Sequence, residues 1–316
     1  IYLKLKIFYT PTMTKVLICS VIKDVAHRIV SNVERAHTFG QYFPYKILLY
    51  ENNSTDTTKQ ALATLSSHPH IKVIMETLSY TKDTSKVWAY TKITQSDHPC
   101  RIEQIANARN QLVHELNHPQ YDDYDVVVWI DMDAEDFDVP SIVDSIHQVQ
   151  QKNIVLFANS PDYYDYYALR CHNFQCTNLF GPELIGELYW NIDSKYPAHF
   201  HNSDLFEVYS AFNGIGVYPK KIFQKHKYDC IITPEVKSLY KRLITNTASI
   251  PPYIKSAIQN PCPKFPEGIV DDDQDIIWKR NCGYDQPIVC EHVVLHFSLI
   301  LDGYKLYINP QMKFLR

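Results

Sequence analysis

Asp125 to Asp133, DVVVWIDMD, is the stretch that decides how this chain is read. Val126 to Ile130 is a short continuous apolar run, the pattern of a strand buried on both faces, and it ends directly in Asp131 and Asp133. Alternate residues of an extended segment point to one side, so the two carboxylates are expected to face one point while Met132 packs away. Two hard oxygen donors at the mouth of a sheet suit Mg2+ or Mn2+, ions that commonly bridge to nucleotide phosphates. Residues 122–138 hold eight Asp or Glu, so the D-x-D spacing alone is weak. Its place at a strand end gives it weight, because ligands of open α/β sheets bind beyond the carboxyl ends of the strands.

The flanking sequence alternates strand and helix patterns. VLICSVI (Val16–Ile22), KILLYE (Lys46–Glu51), IKVIM (Ile71–Met75) and IVLFANS (Ile154–Ser160) read as strands. Ile29–Phe39, a Ser54-capped segment through Leu65, Arg101–Leu116 and Pro140–Gln151 read as helices, the last capped by Asp138 or Val139. This alternation predicts an α/β fold with a mostly parallel, doubly wound central sheet and helices on both faces. Beyond Ser160 the pattern loosens into Tyr-, Asn- and Pro-rich segments, with strands expected at FNGIGVY (Phe212–Tyr218) and VVLHF (Val293–Phe297). A single domain is expected. Residues 1–14 are an extension, 15–160 the half that binds the ligand's phosphates, and 161–316 a second half that extends the sheet and covers its ligand end.

Composition narrows the chemistry. The 316 residues include only 8 Gly, about 2.5% where roughly 7% is usual, which argues against phosphate loops built from glycine. Metal and arginine are then expected to do that work. With 31 basic and 35 acidic residues, net charge −4 and no long Lys/Arg run, a nucleic-acid footprint is absent. The 8 Cys contain no CxxC pair, so a zinc ribbon or redox motif is not expected. Cys171 with Cys176, or Cys282 with Cys290, suit disulfides in an oxidising lumen; free thiols in a reducing cytoplasm are the plainer reading. No apolar run approaches the ~20 residues of a membrane span. IYLKLKIFYTPT (Ile1–Thr12) reads as neither signal sequence nor helix, with Met13 as the expected initiator.

Several residues outside DVVVWIDMD carry candidate chemistry. Arg109 falls near the centre of the apolar stripe of Arg101–Leu116, and a buried arginine needs an anion, either a protein carboxylate or a ligand phosphate. Arg101, at the start of that helix, is a second phosphate candidate. ENNSTDTT after the second strand reads well as a capping turn, with Glu51 and Asp56 as alternative acceptors for a nucleotide's base or ribose. His292 and His296, placed on a strand, lie roughly 13 Å apart, so one of them, His296 foremost, is expected to complete the metal's coordination. DDDQDIIWKRNCGYD (Asp271–Asp285) combines an acidic turn with a short helix ending at Gly283, and one of its acids is a candidate base.

Taken in order, ENNSTD, R-I-E-x-x-A-x-x-R-N (Arg101–Asn110), the strand ending in D-x-D, YYALR (Tyr166–Arg170), FNGIGVY and CEHVVLH (Cys290–His296) resemble the GT-A glycosyltransferases of the cryptococcal mannosyltransferase (CAP59-like) type. Similar sequences occur in bacteria and large DNA viruses. The resemblance spans roughly residues 15–310. It implies a GT-A sheet with an acceptor-side extension, and transfer of a hexose such as mannose from a GDP- or UDP-sugar to a glycan or other hydroxyl acceptor, with Mn2+ or Mg2+ on the diphosphate. It further implies Asp131, Asp133 and His296 as metal ligands, Glu51 and Asp56 at the nucleoside, and Arg109 at the pyrophosphate or the D-x-D acids. Asp162, Asp165 and Asn213 would meet the nucleotide-sugar or acceptor, Arg170 the donor sugar or acceptor as a catalytic group, and Asp272 and Asp273 would sit beside the reaction centre as the catalytic acids. The 41 aromatics, the Tyr163–Tyr167 cluster and Trp190 among them, suit sugar faces, although core packing explains most. The membrane anchor usual in eukaryotic members is not expected here, and a cytoplasmic location is expected over a Golgi lumen. A nucleotidyltransferase of related fold and a non-catalytic carbohydrate-binding protein are the competing readings.

Overall fold

The computed structural model describes residues 13–78, 101–160, 163–172, 178–191, 204–261, 269–270, 276–279 and 287–316, apart from the side chains of residues 190, 191, 269 and 270. In chain order the strands are β1 (Val16–Ile22), β2 (Tyr45–Asn52), β3 (Ile71–Glu76), β4 (Val126–Ile130), β5 (Asp136–Phe137), β6 (Val155–Asn159), β7 (Phe206–Val208), β8 (Ile215–Pro219), β9 (Ile269–Val270), β10 (Ile277–Trp278) and β11 (Leu306–Leu315). The α-helices are α1 (Ile29–His37), α2 (Thr58–Leu65), α3 (Arg101–Leu116), α4 (Val139–Lys152), α5 (Pro182–Ile185), α6 (Leu188–Asn191), α7 (Pro234–Asn246), α8 (Pro252–Gln259) and α9 (Glu291–Leu301).

The main sheet has the order β3-β2-β1-β4-β8-β6-β11-β5, with β7 also on β11. β1, β2, β3 and β4 pair in parallel, as do β6 and β11. The expected α/β class with a mostly parallel sheet is the one observed. β4 fixes the layers: every residue is at most 1% exposed. Its side chains alternate, as strand geometry requires. Val127 and Trp129 enter a core shared with residues of α3, α7, α8 and α9, whereas Val126, Val128 and Ile130 enter one shared with α1, α2 and α4. Fully burying such a side chain stabilises by about 1.5–3 kcal/mol, which is why five consecutive apolar residues hold the centre of a two-sided sheet.

β8 departs from the parallel pattern. It lies between β4 and β6 and runs antiparallel to both. Its amino end therefore sits beside the carboxyl ends of β4 and β6. Ile215 pairs with Ile130, and the next rung is the Asp131 N–H donating to the Gly214 carbonyl at 2.8 Å. The chain enters β8 through two consecutive left-handed residues, Asn213 (φ 52°) and Gly214 (φ 87°). A Cβ at Gly214 would overlap the Phe314 ring, so only glycine both adopts that φ and leaves room.

Three local expectations are corrected. Residues 293–297 belong to helix α9 rather than a strand; Glu291–Phe297 is buried throughout, so no exposed face gives a period that would tell helix from strand. Ile277–Trp278 forms a strand pair with Ile269–Val270 rather than part of a helix. α2 begins at Thr58, and Ser54 does not cap it; the Ser54 hydroxyl accepts from the Asp24 N–H at 3.1 Å, tying the loop after β2 to the loop after β1. The α4 cap is Asp138, accepting from the Ser141 N–H at 3.0 Å. Among the described residues, no helix is long and apolar enough to cross a membrane.

Candidate active site

The carboxyl ends of β4 and β6 and the amino end of β8 gather the acids at one mouth of the sheet. Asp131 leaves β4 on the Trp129 side, while Met132 turns to the other core and is 2% exposed. α1 clamps this turn from behind. The Asn32 amide donates to the carbonyls of Met132 (3.0 Å) and Ala134 (2.9 Å), and Arg28 donates to that of Asp133 (2.6 Å). The Asp131 carboxylate accepts from the Tyr164 hydroxyl at 3.2 Å and lies 3.7 Å from the Arg109 guanidinium. Asp133 pairs with Arg316 at 2.7 Å. Burial raises the Asp131 carboxyl to about 7; Arg109 opposes the rise, and Asp133 and Asp165 add to it.

Arg109 is 4% exposed and faces the core, as its place on the α3 stripe implies. Three rings enclose its guanidinium: Phe212 at 4.8 Å, Trp129 at 5.3 Å and Tyr228 at 5.4 Å. Its Nε donates to Glu291 at 3.3 Å. Burial alone lowers its pKa, but Tyr228, Glu291 and Asp131 around it outweigh that and raise it.

Asp165 and Asn213 join the same mouth. The Asn213 side-chain oxygen accepts from the Tyr164 N–H at 3.2 Å, and its own N–H lies 3.4 Å from the Asp165 carboxylate. Asn213 is wholly buried, and its amide nitrogen has no partner among the described residues. Burial, then the charge of Glu291, raises the Asp165 carboxyl to about 6; the Asn213 N–H works against them.

Other expected positions behave differently. His296 is corrected as a metal ligand. Both ring nitrogens are already bonded, to Ser210 at 3.0 Å and Tyr218 at 2.9 Å, and burial followed by Arg109 lowers its pKa to about 3. On a helix it stacks on His292 at 5.4 Å instead of lying a strand length away. Arg170 is corrected as a sugar- or acceptor-binding group. It donates to Tyr240 (3.0 Å), to the carbonyls of Tyr167 (3.1 Å) and Leu169 (2.8 Å), and to both oxygens of Glu183 (3.0 and 3.1 Å), which spends its whole donor set.

Asp56 holds the turn, accepting from the N–H groups of Thr58 (2.9 Å) and Ala26 (3.1 Å). Glu51, wholly buried at the end of β2, accepts from the Ser54 N–H at 2.7 Å through one oxygen, and its other has no partner among the described residues. Arg101 is exposed at the first position of α3. Asp162, Asp272, Asp273 and the Trp190 side chain lie outside the described residues. Cys171 and Cys290 are free and buried.

Sequence reasoning missed Glu291 and Arg316, and it read Tyr164 only as one ring of an aromatic cluster, not as a donor to Asp131. Glu291 carried a signal, an acid in the first turn of a helix, that the strand reading of CEHVVLH concealed.

The donor set fits a divalent cation. Asp131 and Asp133 are hard oxygen donors at a crowded acidic mouth, and Mg2+-type ions are commonly held by one or two carboxylates plus substrate phosphates. Among the described residues, no three His, Cys, Asp or Glu are grouped as a complete metal cage.

Comparison with known proteins bears on this arrangement. No curated protein matches the chain. Solved structures align over about half their own length. S. aureus TarS shares 12% identity over 68% of this chain and 50% of its own, with a TM-score of 0.37. The mannosyltransferase PcManGT from Pyrobaculum calidifontis, in complex with GDP-Man and Mn2+, shares 10% over 69% and 49%, TM-score 0.40. Glucosyl-3-phosphoglycerate synthase from Mycobacterium tuberculosis, in complex with Mn2+, UDP and phosphoglyceric acid, shares 13% over 67% and 57%, TM-score 0.35. The family model described as cryptococcal mannosyltransferase 1 matches residues 21–247, from the end of β1 through α7 and across DVVVWIDMD, Arg109 and Asn213. With most of its length matched, the chain belongs to the cryptococcal mannosyltransferase 1 family of glycosyltransferases.

Proposed function

We propose that this chain transfers a hexose, mannose in the first instance, from a nucleotide-diphospho-sugar to a hydroxyl acceptor such as a glycan, with Mn2+ or Mg2+ bound. The observation that carries the reading is the meeting of Asp131, Asp133, Asp165 and the caged Arg109 at the mouth formed by β4, β6 and β8. Asp131 and Asp133 would hold the cation. When bound, it neutralises charge building on the nucleoside diphosphate leaving group. Arg109, kept charged by its neighbours, adds a fixed positive charge at the same place.

The free oxygen of Glu51, buried at the end of β2, supports a contact with the nucleoside, and the resemblance supports Asp56 and Arg101 nearby. In the reaction the anomeric carbon's bond to the diphosphate oxygen breaks, a bond to the acceptor oxygen forms, and the acceptor's proton must leave. Asp165, with its carboxyl raised to about 6, is suited to take up that hydroxyl's proton; the resemblance alone offers Asp272 and Asp273 as further candidates. A cytoplasmic setting is part of this proposal, resting on the scattered cysteines without a CxxC pair.

The test is a thermal-shift panel of GDP- and UDP-sugars with and without Mn2+. A ligand at 100 times its Kd adds about 2.7 kcal/mol. The expected result is a metal-dependent shift with one nucleotide-sugar that Asp131→Ala and Asp133→Ala abolish together with sugar transfer. Undiminished transfer in both variants overturns the reading. Release of pyrophosphate in place of a nucleoside diphosphate would make the protein a nucleotidyltransferase, and sugar binding without metal dependence a binding protein.

A further inference from the structure

Arg316 is placed as if it were a cation of the site. Its guanidinium pairs with Asp133 at 2.7 Å and covers the Tyr164 ring at 4.6 Å, and the Tyr164 hydroxyl in turn donates to Asp131. One arginine thus touches one acid of the D-x-D pair directly and reaches the other through a single ring. Its backbone is fixed: β11 ends immediately before it, the Glu135 N–H donates to the Leu315 carbonyl at 2.8 Å, and Phe314 is wholly buried against Gly214. The side chain is 47% exposed, and among the described residues its contacts are the pair with Asp133 and the face of the Tyr164 ring. An anchored stem with a mobile charged head can take either of two partners within its reach. A divalent ion on Asp133 would need the carboxylate that Arg316 now covers, so the two cations compete for it. A diphosphate at the same mouth would offer the displaced guanidinium a bidentate anion.

We propose that Arg316 neutralises Asp133 when no divalent cation is bound and, displaced by that cation, turns to the nucleotide's diphosphate. The inference rests on the proposed function. It makes metal and nucleotide binding cooperative, since each pays part of the cost of moving the same side chain, and such coupling is reciprocal.

The experiment is a Mn2+ titration followed by the electron-paramagnetic-resonance signal of free Mn2+, without nucleotide and then with saturating GDP or UDP. Wild type, Arg316→Ala and Arg316→Lys are compared, with metal-free melting as the check on folding; Arg316→Gln replaces the alanine variant if that one melts early. Arg316→Ala is expected to bind Mn2+ alone about fivefold tighter, the upper worth of a partly exposed ion pair, and to lose most of the nucleotide's enhancement of Mn2+ binding. Arg316→Lys is expected to restore the competition but not the bidentate contact. Unchanged or weaker Mn2+ binding in Arg316→Ala overturns this inference and leaves the proposed function standing. Tighter Mn2+ binding with an undiminished nucleotide effect overturns the diphosphate half. Failure of wild type and variants alike to bind Mn2+ overturns the proposed function and the inference together.

Discussion

Arg109 and Arg170 are both buried, and both are paired with a glutamate in the core on the same side of the sheet. Arg170 is closed. Its donors are spent on Glu183, Tyr240 and two carbonyls, Glu183 takes a further short bond from Tyr240 at 2.5 Å, and Arg170 and Glu183 are both at 0% exposure. Gly181 permits that contact, because a Cβ there would overlap both the guanidinium and the Glu183 carboxylate. Arg109 is open. Among the described residues it makes one hydrogen bond, to Glu291, and spends the rest of its charge on three ring faces and on Asp131, whose side chain is 27% exposed at the sheet mouth. A buried charge therefore marks a ligand site only when its bonding is left incomplete, whereas a saturated one is a structural tie.

The largest effect that can break this comparison is expected at Arg170. Arg170→Ala strands the buried Glu183 charge and should cost about 3–5 kcal/mol in denaturant unfolding, with nucleotide affinity per folded molecule unchanged. A loss below about 1 kcal/mol would show that the tie is not what holds this region. Gly181→Ala presses on the same pair and is expected to cost about 1–3 kcal/mol by overpacking.

Arg109→Ala strands the buried Glu291 and should cost about 2–3 kcal/mol, less than Arg170→Ala because Arg109 gives its glutamate a single hydrogen bond and Asp131 can be rehydrated at the mouth. It should instead reduce Mn2+-dependent nucleotide binding at least tenfold in a calorimetric titration. If it destabilises as strongly as Arg170→Ala and leaves binding intact, the two arginines play the same role and the contrast fails.

The smallest effect is a pH dependence at Asp131. Its folded-state pKa, raised to about 7 from a usual value near 3.8, lets the folded protein hold a proton that the unfolded chain has lost. Stability from this group is then present at low pH and lost as pH rises from about 4 to about 7. In metal-free protein, the melting temperature of Asp131→Asn minus that of wild type is expected to increase across that window. A flat difference would remove the crowding of Asp131 by burial and by Asp133 and Asp165.

These contrasts also mark how far the sequence can be read. β1, β2, β3, β4 and β6, together with α3, follow from local periodicity, and α3 begins and ends where its pattern does. Arg109 was legible because its partner surface is the helix's own apolar stripe. Arg170 was not, because its saturation depends on Glu183 and on Tyr240, 70 residues away, which no local pattern connects to it. His296 failed for a different reason. α9 is buried nearly all round, so VVLHF has no polar face from which to tell a helix from a strand. The antiparallel course of β8 is a tertiary choice: FNGIGVY announces a strand but not its neighbours.

That course of β8 also bears on assembly. β1 to β4 can pair from residues before 131, but the rest of the main sheet requires β8, with β6 and β11 beyond it. Asp131 sits on the seam between these two blocks, hydrogen-bonded through its backbone to Gly214. Pairings of such long sequence separation close slowly. During synthesis the acids would emerge well before the strand that sets them in place, so the acidic mouth is among the last parts of the sheet to take shape.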